Sequence, residues 1–160
     1  MFELFLEWAW ARHHNILSWY VRPLFILPYC YFAYKRKLGL LVVTLLAFPT
    51  TLFWFPAPEV ASETVIQYLN WEREFLLHGS LSQRLLLFTL VVVFLWLLAL
   101  AFWKRSILLG VLVLNIGTCF KIIWSIFFSG AVGYASILPS IVTLIVCNSA
   151  VYWFWRRSNA

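Results

Sequence analysis

Long apolar segments, separated by short polar ones, form the pattern of this 160-residue sequence. A helix needs about 20 consecutive apolar residues to cross a bilayer, and several of the segments approach that length. Basic clusters or prolines close most of them. We therefore predict five membrane-spanning helices, at about residues 16–34, 38–55, 85–103, 107–128 and 134–155.

The first of these segments is interrupted by Arg22, Pro23 and Pro28. Proline removes a helical hydrogen bond, and an arginine at membrane depth is costly. In the alternative topology, residues 16–34 form a re-entrant or interfacial element. That arrangement leaves four spans and moves the N-terminus to the other side of the membrane.

Two further stretches have the pattern of amphipathic helices that lie along a membrane surface. Residues 2–11 are apolar but carry Glu3 and Glu7 four positions apart, on one helix face. Residues 62–77 begin at Ser62, a favourable N-cap, and repeat polar side chains at helical spacing. That polar stripe consists of Glu63, Gln67, Asn70 and Glu74.

Composition agrees with an all-α integral membrane protein that forms one domain over residues 1–160. Hydrophobic residues make up 64% of the chain and charged residues 11%, whereas soluble domains are about 45–50% apolar and about 25% charged. The net charge of +6 is concentrated at the ends of apolar segments. This distribution indicates a membrane protein with lipid neighbours and argues against a nucleic-acid partner.

The basic clusters also predict an orientation. With five spans, the clusters at residues 35–37, 104–105 and 156–157 all fall on one side. By the positive-inside rule that side is the cytoplasm. The C-terminus is then cytoplasmic and the N-terminus is outside, in the plasma or inner membrane of the cell.

Lys121 is the most informative single residue, because it lies inside the apolar segment 107–128. Its helix carries a stripe of small and polar residues, and the next predicted helix carries a matching one. Since the turn between them is short, we expect the two stripes to face each other and Lys121 to point into the bundle. The stripes are Gly110, Gly117, Thr118, Lys121 and Ser125, facing Ser136, Ser140, Thr143, Cys147 and Ala150.

Depth along the helices gives Lys121 a companion. Counted at 1.5 Å per residue, Lys121 and Arg22 lie about 20 Å and about 18 Å from the inner ends of their spans. No predicted span contains an acidic residue. Such a site favours a small anionic or amphipathic, lipid-like ligand in an outer-leaflet cavity. We predict that the cavity is lined by Arg22, Lys121, Thr89, Thr118 and Ser140, with the helix of residues 62–77 as a lid.

A structural explanation stands beside this one. The long side chains of Lys121 and Arg22 can reach outward to the headgroups. Arg22 can also pair with Glu72 or Glu74 on the outer helix. Under either arrangement the two cations need not meet.

Other polar residues predict no cofactor, metal or catalytic site. His13 and His14 are expected to be an exposed interfacial pair, because adjacent helical residues point about 100° apart and do not readily share a metal. Asn115 and Asn148 are expected to hydrogen-bond across neighbouring helices. No serine–histidine–acid set, phosphate loop or reactive cysteine is evident, and no motif assigns the chain to a family.

Three functional hypotheses follow. The first is a non-enzymatic membrane protein that binds or transports a small anionic or lipid-like ligand. The second is an accessory subunit of a larger membrane complex or a homo-oligomer that forms a pore, in which residues 85–103 dock a partner. The third is a membrane enzyme that modifies lipid at the outer surface, where Glu63, Glu72, Glu74 and His78 are available.

Overall fold

The computed structural model describes residues 2–158, which are helical with no strand. The all-α prediction is therefore confirmed for this part of the chain. The α-helices are α1 (Phe2–His13), α2 (Ile16–Leu24), α3 (Ile26–Tyr34), α4 (Leu38–Ala47), α5 (Glu63–His78), α6 (Leu81–Trp103), α7 (Ile107–Ser129) and α8 (Ile137–Ser158). Two 3₁₀ helices, Phe48–Phe53 and Gly130–Ser136, continue α4 and connect α7 to α8.

The first predicted span is divided into α2 and α3 at Phe25. Pro28 has no N–H to donate to the carbonyl four residues earlier, so the helix cannot continue regularly past Leu24. The N–H of Phe25 instead bonds the carbonyl of Arg22 at 3.1 Å, in a tighter turn. The break leaves Arg22 in the last turn of α2.

The second predicted span changes type at its proline. α4 ends at Ala47, and Pro49 lies in the first turn of the following 3₁₀ helix, where its missing N–H costs no regular hydrogen bond. Thr50 and Thr51 donate to the carbonyls of Ala47 and Phe48, at 2.6 and 2.7 Å. This 3₁₀ turn presents the buried Thr51 towards α2.

α7 and α8 are antiparallel neighbours, as their two polar stripes predict. Residues later in α7 contact residues earlier in α8 or in the turn before it. Asn115 and Asn148 exchange two hydrogen bonds of 3.0 and 3.1 Å, which confirms the predicted amide pair. Further along, Ser125 bonds Ser136 at 2.9 Å.

The stripe of small and polar residues on α7 contacts two neighbouring helices, α6 and α8. A Cβ added at Gly110 or Gly117 would overlap the rings of Phe102 and Phe94 on α6. These glycines therefore allow close approach of α6, while the polar part of the stripe faces α8. The expectation that the whole stripe faces α8 is wrong for the two glycines, because α7 packs between both helices.

α3 and α6 run parallel and end in the same motif. Arg36 and Arg105 follow these helices with φ of 54° and 57°, in the left-handed region that usually holds glycine. Each helix end is closed by a pair of backbone hydrogen bonds in the Schellman pattern. The pairs are Arg36 to Ala33 and Lys37 to Phe32, then Arg105 to Phe102 and Ser106 to Ala101.

The two arginines also hold each other's helix. Nε of Arg36 donates to the carbonyl of Trp103, the last residue of α6, at 3.1 Å. The guanidinium of Arg105 lies 5.9 Å from the ring centre of Tyr34, the last residue of α3. The ring of Tyr34 in turn meets Phe154 of α8 at 5.4 Å. Three basic clusters are thus gathered at one end of the bundle.

α5 lies across the opposite end. Its polar stripe of Glu63, Gln67, Asn70 and Glu74 is exposed, as predicted. Its other face buries Val65 and Leu69 near the 3₁₀ helix that links α7 to α8. Ser62 is the N-cap residue, although its hydroxyl bonds Thr64 and not the helix backbone.

Two helical stretches in residues 2–158 are long and apolar enough to cross a membrane. They are Leu81–Trp103, with a mean hydropathy of 3.0, and Ile107–Arg157, with a mean hydropathy of 2.1. The second stretch comprises α7, the 3₁₀ turn and α8. The apolar helix Leu38–Phe53 is shorter than this requirement. Five membrane spans and their orientation therefore stay predictions.

The left-handed cap of α3 can be tested with two substitutions at one position. Arg36→Ala and Arg36→Gly both remove the contact with Trp103, so they differ mainly in the backbone preference of residue 36. We expect the glycine variant to be about 1 kcal/mol more stable, since a left-handed conformation costs a residue with a Cβ about 1–2 kcal/mol. Unfolding of the purified protein in mixed detergent micelles measures the difference. Equal stability of the two variants would contradict the cap geometry.

Candidate functional site

The end of the bundle opposite the basic clusters holds a partly buried charged cluster that involves α1, α2, α5 and the first 3₁₀ helix. His13, the last residue of α1, is at its centre and is only 4% exposed. Its Nδ1 lies 3.1 Å from Nη2 of Arg22, and its Nε2 lies 3.7 Å from Oε2 of Glu72. The sequence predicts an exposed histidine pair at residues 13 and 14. That expectation is wrong for His13, because α1 ends against α2 and turns this ring inward.

The geometry fixes the protonation of His13. A guanidinium only donates hydrogen bonds, so Nδ1 must accept from Arg22 and must carry no proton. The ring is then neutral, and its Nε2–H points towards the Glu72 carboxylate. Burial lowers the pKa of His13 below its ordinary value; the hydrogen bond to Glu72 opposes this shift, and the charge of Arg22 adds to it.

Arg22 is held from three directions. Besides His13, its Nε donates to Oγ1 of Thr51 at 3.4 Å, and it interacts electrostatically with Glu72. Arg22 interacts with Glu72 of α5 through its charge, and the ion pair that Glu72 forms is with His13. The acid involved is Glu72, which is 35% exposed and so stays partly hydrated.

Ser18 completes an apparent serine–histidine–acid arrangement, with its Oγ 3.5 Å from Nδ1 of His13. This is not a nucleophile. The hydroxyl of Ser18 already donates to the carbonyl of Asn15 at 2.7 Å, and Arg22 occupies the same ring nitrogen. The side chain is also fully buried, at 0% exposed, so no substrate carbonyl reaches it.

Lys121 of α7 is the second cation near the cluster, within electrostatic range of Arg22. Its Nζ donates to Oγ of Ser140 on α8 at 3.1 Å, and its charge interacts with those of Arg22 and Glu72. The ammonium group thus turns towards the buried Ser140 of α8, as the facing stripes predict, while the rest of the residue is exposed along α7.

Thr118 and Thr89, the other two residues predicted to line the cavity, differ in their burial. Thr118 is buried, and its hydroxyl donates to the carbonyl of Leu114 at 2.8 Å, so it is used within its own helix. Thr89 is exposed on α6. Neither of the two cavities described for residues 2–158 is lined by Arg22 or Lys121. The structure thus joins Lys121 to Ser140 by a hydrogen bond and places Lys121 within electrostatic range of Arg22.

A layer of hydroxyl groups lies beneath α5 and beside this cluster. The hydroxyl of Tyr68 interacts with Ser125 and Ser136, which also bond each other. Burial raises the pKa of Tyr68 above its ordinary value, so the phenol stays protonated and able to donate. The ring of Tyr68 also packs on Trp19 of α2 at 5.1 Å. α5 is therefore fastened to the bundle at Tyr68 and at Glu72.

The sequence offers Glu72 beside Glu74 as a partner of Arg22, but it does not predict His13 as part of the cluster. Glu72 does carry a signal, because it follows Val65 and Leu69 by seven and three residues and so falls on the buried face of α5. Glu72 does not belong to the exposed polar stripe of α5. His13 carries no such signal, since its burial depends on the turn between α1 and α2, which Asn15 caps through the N–H of Leu17.

Within residues 2–158, no group of three or more His, Cys, Asp or Glu side chains is arranged to hold a metal ion. Comparison of the chain with protein-family models, with curated proteins and with solved structures gives no match. Any function must therefore be argued from the charged cluster and the helical bundle themselves.

The buried neutral state of His13 predicts loss of stability in acid. Its pKa in the folded protein lies below the ordinary value of 6.5, so the unfolded chain binds more protons as the pH falls. The contribution of His13 is complete above about pH 6.5 and is lost as the pH falls towards its folded-state pKa. Thermal unfolding in detergent between pH 8 and pH 5 measures this loss.

Two variants separate the effect of His13 from other acid effects. His13→Asn keeps an acceptor near the position of Nδ1 but does not titrate, so its unfolding temperature should fall less between pH 6.5 and pH 5. His14→Asn removes the neighbouring histidine outside the Arg22 network and should behave as the wild type does. Identical pH profiles for wild type and His13→Asn would show that the ring does not carry the effect.

Proposed function

We propose that this chain is a multi-pass membrane protein that binds an anionic, lipid-like ligand beside Arg22 and Lys121. The exposed apolar surface supports the membrane location. In α6, 17% of the 18 consecutive residues with the highest hydropathy are buried. In the α7–α8 stretch, the corresponding share is 11%. Soluble monomers rarely expose apolar patches of this extent, whereas lipid covers them at no cost.

The gathering of basic residues at one end supports the proposed orientation. Lys35, Arg36 and Arg105 lie at the end where α3, α6 and α8 finish, and Glu72 lies at the other. Under the positive-inside rule the basic end is cytoplasmic, and the cluster at His13 faces outward. The proposed topology has five spans, with α2 and α3 together forming the first.

The observation that carries the ligand proposal is the proximity of two cations that share one acid. Arg22 and Lys121 repel each other, and the half-hydrated Glu72 offsets only one positive charge. An anion bound between them removes the repulsion and takes charge-assisted hydrogen bonds from both. Because Lys121 is exposed along α7, the ligand reaches it from the surrounding lipid.

Binding of a single-chain alkyl phosphate to the purified protein tests this proposal. Titration of dodecyl phosphate, with dodecyl maltoside as the neutral reference detergent, gives the affinity by calorimetry. Hydrogen bonds to charged groups contribute about 1.5–3 kcal/mol, so Arg22→Gln and Lys121→Gln should each weaken binding by about tenfold or more. Lys121→Arg keeps the charge and should retain most of the affinity.

Arg73→Gln and Lys104→Gln provide matched controls for loss of one positive charge. Arg73 is exposed on α5, and Lys104 lies at the opposite end of the bundle. Both variants should bind dodecyl phosphate as the wild type does. Equal weakening in all four glutamine variants would show that binding follows net charge, and the proposed site would then be wrong.

The accessory or oligomeric function is the second candidate, and α6 favours it. Leu85, Phe88, Val92 and Trp96 recur at helical spacing and are all exposed, forming one apolar ridge along this helix. The ridge suits a partner helix as well as lipid. Sizing in detergent distinguishes the two functions, since a monomer that binds dodecyl phosphate favours the first and a stable assembly favours the second.

A further inference from the structure

A groove of about 360 Å³ opens between α3, α7 and α8, at the end of the bundle opposite the His13 cluster. Its walls are almost entirely apolar and include Cys30, Leu114 and Cys147. Along α3 it extends from Ile26 to Tyr34, a rise of about 12 Å. That length is close to the depth of one leaflet, about half of the ~30 Å hydrocarbon core.

Cations stand over the aromatic residues that line the groove. Nζ of Lys35 lies 5.8 Å from the ring centre of Tyr31, and the guanidinium of Arg157 lies 4.0 Å from that of Trp153. Arg105 lies 5.9 Å from the ring centre of Tyr34, as described above. All three rings line the groove. Three positive charges therefore lie around one end of the apolar groove.

No acidic residue opposes these charges from the groove walls. The six acids of the chain are Glu3, Glu7, Glu59, Glu63, Glu72 and Glu74, and none belongs to α3, α7 or α8. The cations also lack anionic partners among the ion pairs of residues 2–158, where the ion pair found is that of His13 with Glu72. The rim of the groove thus has charge available for an anion.

We propose that this groove holds one acyl chain of an anionic phospholipid, with its phosphate among Lys35, Arg105 and Arg157. The inference rests on the membrane location proposed above, but the site is separate from the Arg22–Lys121 site. The apolar walls match a hydrocarbon chain, and the cationic rim matches a headgroup phosphate. Tyr31 and Trp153 are themselves exposed, so a lipid enters sideways from the leaflet.

Native mass spectrometry of the full chain, extracted from nanodiscs of equal phosphatidylglycerol and phosphatidylcholine, measures the retained lipid. We expect one phosphatidylglycerol per chain. Ala150 lines the groove, so Ala150→Phe fills it and should reduce retention at least tenfold. Ile145→Phe adds a ring on the exposed face of the same helix and should leave retention unchanged.

The headgroup part of the proposal has its own variants. Each cation near a membrane surface contributes about 1 kcal/mol, so Lys35→Gln and Arg157→Gln should each lower the preference for phosphatidylglycerol about fivefold. Lys104→Gln removes a charge from the same end, away from the groove aromatics, and should lower it less. Circular dichroism and elution volume in detergent verify that each variant is folded.

Three outcomes overturn the inference. They are equal retention in Ala150→Phe and Ile145→Phe, equal retention of the two lipids by the wild type, and a second protein chain in place of lipid. Release of the protein from membranes by alkaline wash would overturn this inference and the proposed function together. Retained phosphatidylglycerol with no dodecyl phosphate effect at Arg22 would contradict the proposed function alone.

Discussion

Arg22 cannot leave water without partners, and much of the end of the bundle that contains His13 is arranged around that requirement. A guanidinium has five donors and no acceptor, so everything that approaches it must offer lone pairs or negative charge. His13 offers Nδ1, Thr51 offers its hydroxyl oxygen, and Glu72 offers its charge. These three residues come from α1, the first 3₁₀ helix and α5. Arg22 thereby links three elements, two of which, α1 and the first 3₁₀ helix, also pack through the rings of Trp8 and Phe53.

The same requirement explains the irregular backbone nearby. The break at Phe25 ends α2 just beyond Arg22, and the 3₁₀ turn at Pro49 presents Thr51 to it. Regular helices through both segments would carry these side chains in other directions. Proline residues in apolar segments are tolerated when their neighbours satisfy the freed backbone groups. Here the irregular backbone near Pro28 and Pro49 also orients two polar groups of the cluster, Arg22 and Thr51.

The two ends of the bundle handle positive charge differently. At the end that contains His13, Arg22 and Lys121 donate to buried oxygen and nitrogen acceptors of Thr51, His13 and Ser140. At the basic end, Arg36 caps the last carbonyl of a neighbouring helix, and the other cations lie on aromatic faces and remain accessible. An internal charged cluster and an open cationic rim are different environments for an anion. We therefore assign them different proposed ligands.

The sequence by itself determined the helical class, the antiparallel pairing of α7 with α8, the Asn115–Asn148 contact and the exposed stripe of α5. These features follow from periodicity along single helices and from one short turn, so neighbouring residues suffice to predict them. Depth counting also brought Arg22 and Lys121 to the same region. Only the tertiary structure decided that His13 is buried and neutral, and that Glu72 and not Glu74 is the acid beside His13 and Arg22. Those outcomes depend on how α1 and α5 pack on helices distant in sequence, and no local pattern encodes that packing.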